Sequence, residues 1–132
     1  MREIKFRAKQ EGNPQWLLGC VYKFSEGTLM LSEDEYGRGI VHKVIPETVG
    51  EFTGLRDKNG VEIYEGDVVS TGIKENAEVV FGEFKIGEND WSIEYAPPYF
   101  CIKWKDGSGY SVIDKDCIVT GNIYENPELL TP

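Results

Sequence analysis

Residues 52–69 read FTGLRDKNGVEIYEGDVV, and this stretch decides the fold. Asp57-Lys58-Asn59-Gly60 is a reverse turn in the making, because Asn and Gly both tolerate the positive φ that a tight turn demands. Ile63 and Tyr64 then re-enter packed structure. Gly66-Asp67 then opens a strand through Val68 and Val69. Short strands with frequent turns suggest a barrel or sandwich.

The same grammar extends outward in both directions. Toward the N-terminus, Ile4, Phe6 and Ala8 alternate with Lys5, Arg7 and Lys9, the period of a half-buried strand. Further strands are expected over 16–24 (WLLGCVYKF), 28–31 and 40–45. Toward the C-terminus they are expected over 67–73, 77–86, 91–95, 109–113 and 117–120, with Phe100, Ile102 and Trp104 marking one more. Glu11-Gly12-Asn13-Pro14, Tyr36-Gly37-Arg38-Gly39 and Asp106-Gly107-Ser108-Gly109 supply turns between them. Short helical turns fit near 46–50 and at 124–130. The expected fold is mostly β, with an N-terminal sheet region packed on a C-terminal SH3-like or barrel-like region. A length of 132 residues fits one domain, with a division into lobes 1–55 and 56–132 left open.

Charge is uneven. The net charge is −9, from 14 basic and 23 acidic residues. Residues 1–24 hold five bases and two acids, so the remainder carries −12. That surface repels phosphate backbones, and nucleic acid is a disfavoured partner. The three cysteines, Cys20, Cys101 and Cys117, are odd in number and never in C-x-x-C spacing. Buried free thiols in a reducing cytoplasm are the reading, without disulfide or structural zinc. The N-terminus MREIKFRAK lacks the apolar core of a signal peptide, and no run approaches the roughly 20 apolar residues of a membrane span.

Catalytic and metal patterns fail on inspection. An EF-hand loop begun at Asp57 would need an oxygen ligand at Val61, a glycine at Glu62 and a glutamate at Val68. Glu33-Asp34-Glu35 is the densest acidic run, but neighbours on a strand point to opposite faces, and a solvated loop fits it better. His42 is the sole histidine, so any Ser-His-Asp or Cys-His arrangement would have to use it, and neither a G-x-S-x-G elbow nor a cysteine signature accompanies it. There is no P-loop and no G-x-G-x-x-G. No catalytic residue, metal or cofactor is therefore expected. The best binding candidates are aromatic. Phe100 and Trp104 fit core packing, whereas Trp91, Tyr95 and Tyr99 flank the Pro97-Pro98 break and are the expected partner-binding residues.

The motif FTGLRDKNGVEIYEGDVV resembles the signature of the YopX family of phage and prophage proteins, close to F-T-G-L-x-D-x-N-G-x-E-I-Y-E-G-D-[IV]-V. MREIKFRA at residues 1–8 and GNIYENPELL at 121–130 agree with it. The resemblance implies a mostly β protein of an infected or lysogenic bacterial cytoplasm and brings no catalytic residues to transfer. The expected function is a non-enzymatic phage or prophage accessory protein that binds a host or phage protein, with self-association open. The alternative is a nucleic-acid module using the basic N-terminal strand and exposed aromatics. A small hydrolase comes third.

Overall fold

A computed structural model describes residues 3–13, 15–25, 27–72, 74–82, 85–86, 94–95, 99–107 and 109–131. Among the described residues the chain forms thirteen strands and two short 3-10 turns. They are β1 (Phe6–Lys9), β2 (Trp16–Phe24), β3 (Gly27–Glu33), β4 (Gly39–Val44), β5 (Gly50–Arg56), β6 (Glu62–Tyr64), β7 (Asp67–Ser70), β8 (Ala77–Gly82), β9 (Lys85–Ile86), β10 (Glu94–Tyr95), β11 (Tyr99–Trp104), β12 (Tyr110–Ser111) and β13 (Ile118–Asn122). The 3-10 turns are η1 (Pro46–Thr48) and η2 (Pro127–Leu130), each with proline in its first turn, where a missing N–H costs nothing. The protein is mostly β and divides into two compact units, 1–55 and 56–132.

In the first unit the strand order is β4-β3-β2-β1-β5, all antiparallel where the register is defined. The sheet curls on itself. Gln10 bridges Val44, the Glu11 N–H donates to Lys43 O at 2.9 Å, and the Ile45 N–H donates to Lys9 O at 2.9 Å. The end of β1 therefore meets the end of β4. The inside of this curl is the core of Ala8, Met30 and Val44, with Phe6, Leu17, Val21 and Val49 against it. Gly19 is required there, because a Cβ would overlap the Leu31 carbonyl oxygen.

In the second unit the order is β12-β11-β8-β7-β13. Ile63, Val69, Ala77, Val79, Ile102, Trp104 and Cys117 form its core. Phe100 and Trp104 are buried, as their alternation implies, and the Trp104 indole N–H donates to Ser111 Oγ at 2.9 Å.

Three expectations need correction. Ile4 is 67% exposed and the strand starts at Phe6, so the alternation overran the pairing with β2 by one apolar residue. Cys20 is exposed, because it projects from the outer side of β2, while Cys101 and Cys117 are buried. The 67–73 strand ends at Ser70, where Thr71 and Lys74 close a turn through the Thr71 N–H to Lys74 O bond of 2.8 Å.

Candidate functional site

The signature motif turns out to be a clasp. The Asp57 carboxylate is buried. One oxygen accepts the N–H groups of Asn59 and Val61 at 2.8 and 2.9 Å, and the other accepts the Val119 N–H at 2.9 Å. The Gly60 N–H closes the turn on Asp57 O at 3.0 Å. Burial pushes the Asp57 carboxyl up, and the N–H donors of Val119, Val61 and Asn59 together bring it below the ordinary carboxylate value. Its oxygens are committed to backbone donors, as a turn requires. Asp67 is also buried and accepts the Tyr64 N–H at 2.8 Å.

The C-terminal segment is built the same way. Asn122 Oδ1 accepts the N–H groups of Tyr124 and Glu125 at 3.0 and 2.9 Å. Asn126 Oδ1 accepts the Asn122 N–H at 3.2 Å. A Cβ at Gly121 would lie 2.6 Å from that same oxygen. The polar residues of this segment therefore hold backbone in place.

The other polar candidates resolve likewise. Asp34 accepts the N–H groups of Tyr36 and Arg38 and the Arg38 Nε at 2.8, 2.9 and 3.1 Å, so the acidic run is a turn. The Arg38 N–H is the main reason its carboxyl lies below the ordinary value. His42 Nε2 lies 3.1 Å from Ser32 Oγ, and its Nδ1 lies 3.5 Å from Gln10 Nε2. Ser32 and His42 are thus within nucleophile–base distance, but the group at the other ring nitrogen is the Gln10 amide and not a carboxylate. Among the described residues, no three His, Cys, Asp or Glu side chains gather as metal ligands, and no helix is long and apolar enough to cross a membrane.

Trp91 lies outside the described residues. Tyr95 and Tyr99 fall on β10 and β11, and their side chains lie outside them as well. The aromatic grouping expected around Pro97-Pro98 is therefore not placed.

Two surfaces stand out among the described residues. A groove of about 380 Å³ in the second unit is lined by Lys58, Ser70, Thr71, Asp114, Asp116 and Thr120, among others. One Asp114 oxygen already accepts the Asp116 N–H at 2.8 Å. The groove brings hydroxyls and carboxylates together, and the residues lining it include no histidine.

The second surface is the outer wall of the first unit, and it is apolar. Residues directly opposite on neighbouring strands share a face. Tyr22 pairs with Leu29, which pairs with Lys43, and Cys20 pairs with Leu31, which pairs with Val41. Phe24 and Leu18 continue the same face of β2. Val41 is 62% exposed, Phe24 55%, Leu18 51% and Tyr22 50%. A hollow of about 240 Å³ sits among Tyr22, Phe24, Leu29, Leu31 and Val41. Singly exposed apolar residues are ordinary, whereas these are contiguous on one sheet face. At the flank, Arg7 and Lys9 lie over the Trp16 ring at 4.6 and 5.5 Å, and Lys5 lies over Phe52 at 4.9 Å.

The sequence did hold a signal for this wall. Leu17 and Val21 of β2 face the core, so Leu18, Cys20, Tyr22 and Phe24 must point away from it. A strand apolar on both faces needs cover on both.

The wall is open to chemical probing through Cys20. Burial pushes the Cys101 thiol up, and it does the same at Cys117, where the Asp114 and Asp116 carboxylates add to it. Both should react slowly. Alkylation of the native protein at neutral pH should modify Cys20 well before the other two, with all three modified after denaturation. Peptide mapping by mass spectrometry reads this out. Equal rates at all three would mean that the buried pair is not protected.

The family model described as YopX protein matches residues 5–131. No curated protein matches the chain. Among solved structures it is similar to the crystal structure of protein EF1440 from Enterococcus faecalis, at 21% identity and a TM-score of 0.54, with 99% of this chain and 100% of that one covered. At that identity the likeness shows the fold.

Proposed function

The chain belongs to the YopX family, and from that premise we propose that it is a non-enzymatic accessory protein of a phage or prophage that binds a host or phage protein in the bacterial cytoplasm. The phage setting is what the family resemblance implies. The observation that carries the binding reading is the outer wall, where Leu18, Tyr22, Phe24 and Val41 stay half-exposed on a folded sheet. Burying one such side chain is worth roughly 1.5–3 kcal/mol, and aromatic anchors of this kind dominate protein interfaces. The Ser32–His42 contact has the Gln10 amide where a triad would place a carboxylate, and Asp57 and Asp34 are engaged by backbone donors, which supports binding over catalysis.

The test compares two proteins as bait in host and infected-cell lysates. One is the wild type and the other is Tyr22→Ser/Phe24→Ser. A protein captured by the wild type should be lost with the variant, should rebind when purified, and should do so while the two melting midpoints agree. Capture that is unchanged in the variant would move the binding site elsewhere.

The nucleic-acid alternative makes a separate prediction. Lys5, Arg7 and Lys9 lie over the chain's own aromatic rings, and the chain carries −9 overall. No shift of a labelled duplex or single-stranded oligonucleotide is expected at micromolar protein and about 150 mM salt, where non-specific binders already reach 10⁻⁴–10⁻⁶ M. Submicromolar binding that weakens steeply with salt, and is lost in Lys5→Glu/Arg7→Glu/Lys9→Glu, would replace the protein-partner reading.

A further inference from the structure

We propose that the outer wall of the first unit takes a second copy of the chain, the two walls packing face to face about a two-fold axis. The proposal rests on the reading of that wall as a protein-binding surface and names its partner.

The argument is the order of residues along the wall. The register gives three successive rows on one face. The first is Tyr22, Leu29 and Lys43. The second is Cys20, Leu31 and Val41. The third holds Glu33 opposite Gly39, with Leu18 two residues beyond Cys20 on β2. A cation thus stands at one end, an acid at the other, and an apolar row lies between them. Glu33 lies four residue steps beyond Leu29 on β3, which places the two charged rows roughly 14 Å apart. Such a strip is complementary to itself. An axis across the strands at the Leu31 row exchanges its two ends, so that Lys43 of each copy arrives at the Glu33 row of the other. Gly39 has no side chain to obstruct it. In an isologous contact every such pairing occurs twice.

Shape agrees with charge. The same axis brings Leu18 of the second copy, half-exposed and projecting, to the row of Tyr22 and the hollow beside it. Leu31 and Val41 meet their own counterparts at the centre. Two sheets packed this way lie about 10 Å apart, with their strands within about 30° of alignment.

Net charge also favours this wall for self-contact. Residues 1–55 hold seven bases and eight acids, close to neutral, whereas residues 56–132 carry −8 of the total −9. Two copies meeting through the first unit avoid the repulsion that two second units would feel.

The experiment is sedimentation equilibrium of the full chain as wild type, Glu33→Lys, Lys43→Glu and the Glu33→Lys/Lys43→Glu exchange. Both positions are exposed, and thermal melts confirm that each variant folds. The wild type should be dimeric. Each single reversal sets like charges against each other twice and should weaken the dimer at least ~10-fold, less so at high salt, and the exchange should restore it. A short bismaleimide should join two copies through Cys20, which sits in the central row. Cys20→Ser should lose the covalent product yet still sediment as a dimer. A dimer that is indifferent to single reversals, that the exchange does not restore, or that never crosslinks through Cys20 would overturn the proposal. So would a wild type that is monomeric throughout. If that monomer still captured a different protein through Tyr22 and Phe24, the two-fold would fall while the protein-binding reading stood. If Tyr22→Ser/Phe24→Ser left both dimer and capture unchanged, both would fall.

Discussion

Asp57→Ala should destabilise the protein by about 3 kcal/mol, seen as a drop of roughly 10 °C in the melting midpoint. The carboxylate receives three backbone N–H groups, and a hydrogen bond to a charged group is worth about 1.5–3 kcal/mol. The three are not equal. Asn59 and Val61 lie in an exposed turn, where water can replace the lost acceptor. Val119 lies on β13, 62 residues away, and its bond ties the turn to the second unit's sheet. A further bond, from the Lys58 N–H to Cys117 O at 2.9 Å, should weaken with it. The carboxyl lies below its ordinary value when folded, so the unfolded chain takes up the proton first as pH falls. The contribution is complete above the unfolded value, near pH 4, and is lost as pH falls through the folded one. Asp57→Asn keeps the shape and one acceptor oxygen. It should therefore cost less than Asp57→Ala at pH 7, and its cost should shrink in acid. Denaturant melts of the three proteins at pH 7 and pH 3 decide this. A pH-independent Asp57→Asn penalty would show that the charge contributes nothing.

Half of this clasp was legible in the sequence and half was not. Asp-x-Asn-Gly announces a tight turn through local φ preferences, and the turn is where the chain places it. The bond from Val119 is not local, and no spacing rule reports it. β5 escaped for a related reason. Gly50, Thr53, Gly54 and Arg56 break any period of two, and the strand exists because Gly50 and Glu51 pair with Arg7 and Phe6. The outer wall was written in the sequence but pointed both ways. Alternation along WLLGCVYKF separates Leu17 and Val21 from Leu18, Cys20, Tyr22 and Phe24, yet both sets are apolar. Only the curl that brings β1 to β4 decides which set is inside. The candidate site was expected at Trp91, Tyr95 and Tyr99, where the proline break suggested exposure, and those side chains lie outside the described residues; the contiguous exposed apolar set on β2 and β4 was not singled out.

Gly66→Ala should cost about 2–3 kcal/mol, and Gly60→Ala only about 1, although both glycines sit at positive φ, +93° and +84°. The backbone strain is shared, so the difference must come from surroundings. A Cβ at Gly60 would meet nothing within 4 Å. A Cβ at Gly66 would lie 3.0 Å from Tyr124 Cε2 and 3.3 Å from its hydroxyl oxygen. The backbone at Gly66 also has little freedom to withdraw. Its N–H donates to Val79 O and its carbonyl accepts the Ile123 N–H, both at 2.9 Å, which pins it between β8 and the segment after β13. The ring has to give, and packed rings that give lose contacts. Truncating the ring isolates the effect. In a Tyr124→Ser background, Gly66→Ala should cost about what Gly60→Ala costs, leaving a coupling of about 1–2 kcal/mol between positions 66 and 124. Chemical denaturation of the four proteins of that cycle, with Gly60→Ala as the strain reference, gives the number. A Gly66→Ala penalty that persists in full without the Tyr124 ring would place the whole cost in the backbone and remove packing from the account of the Tyr64-Glu65-Gly66-Asp67 turn.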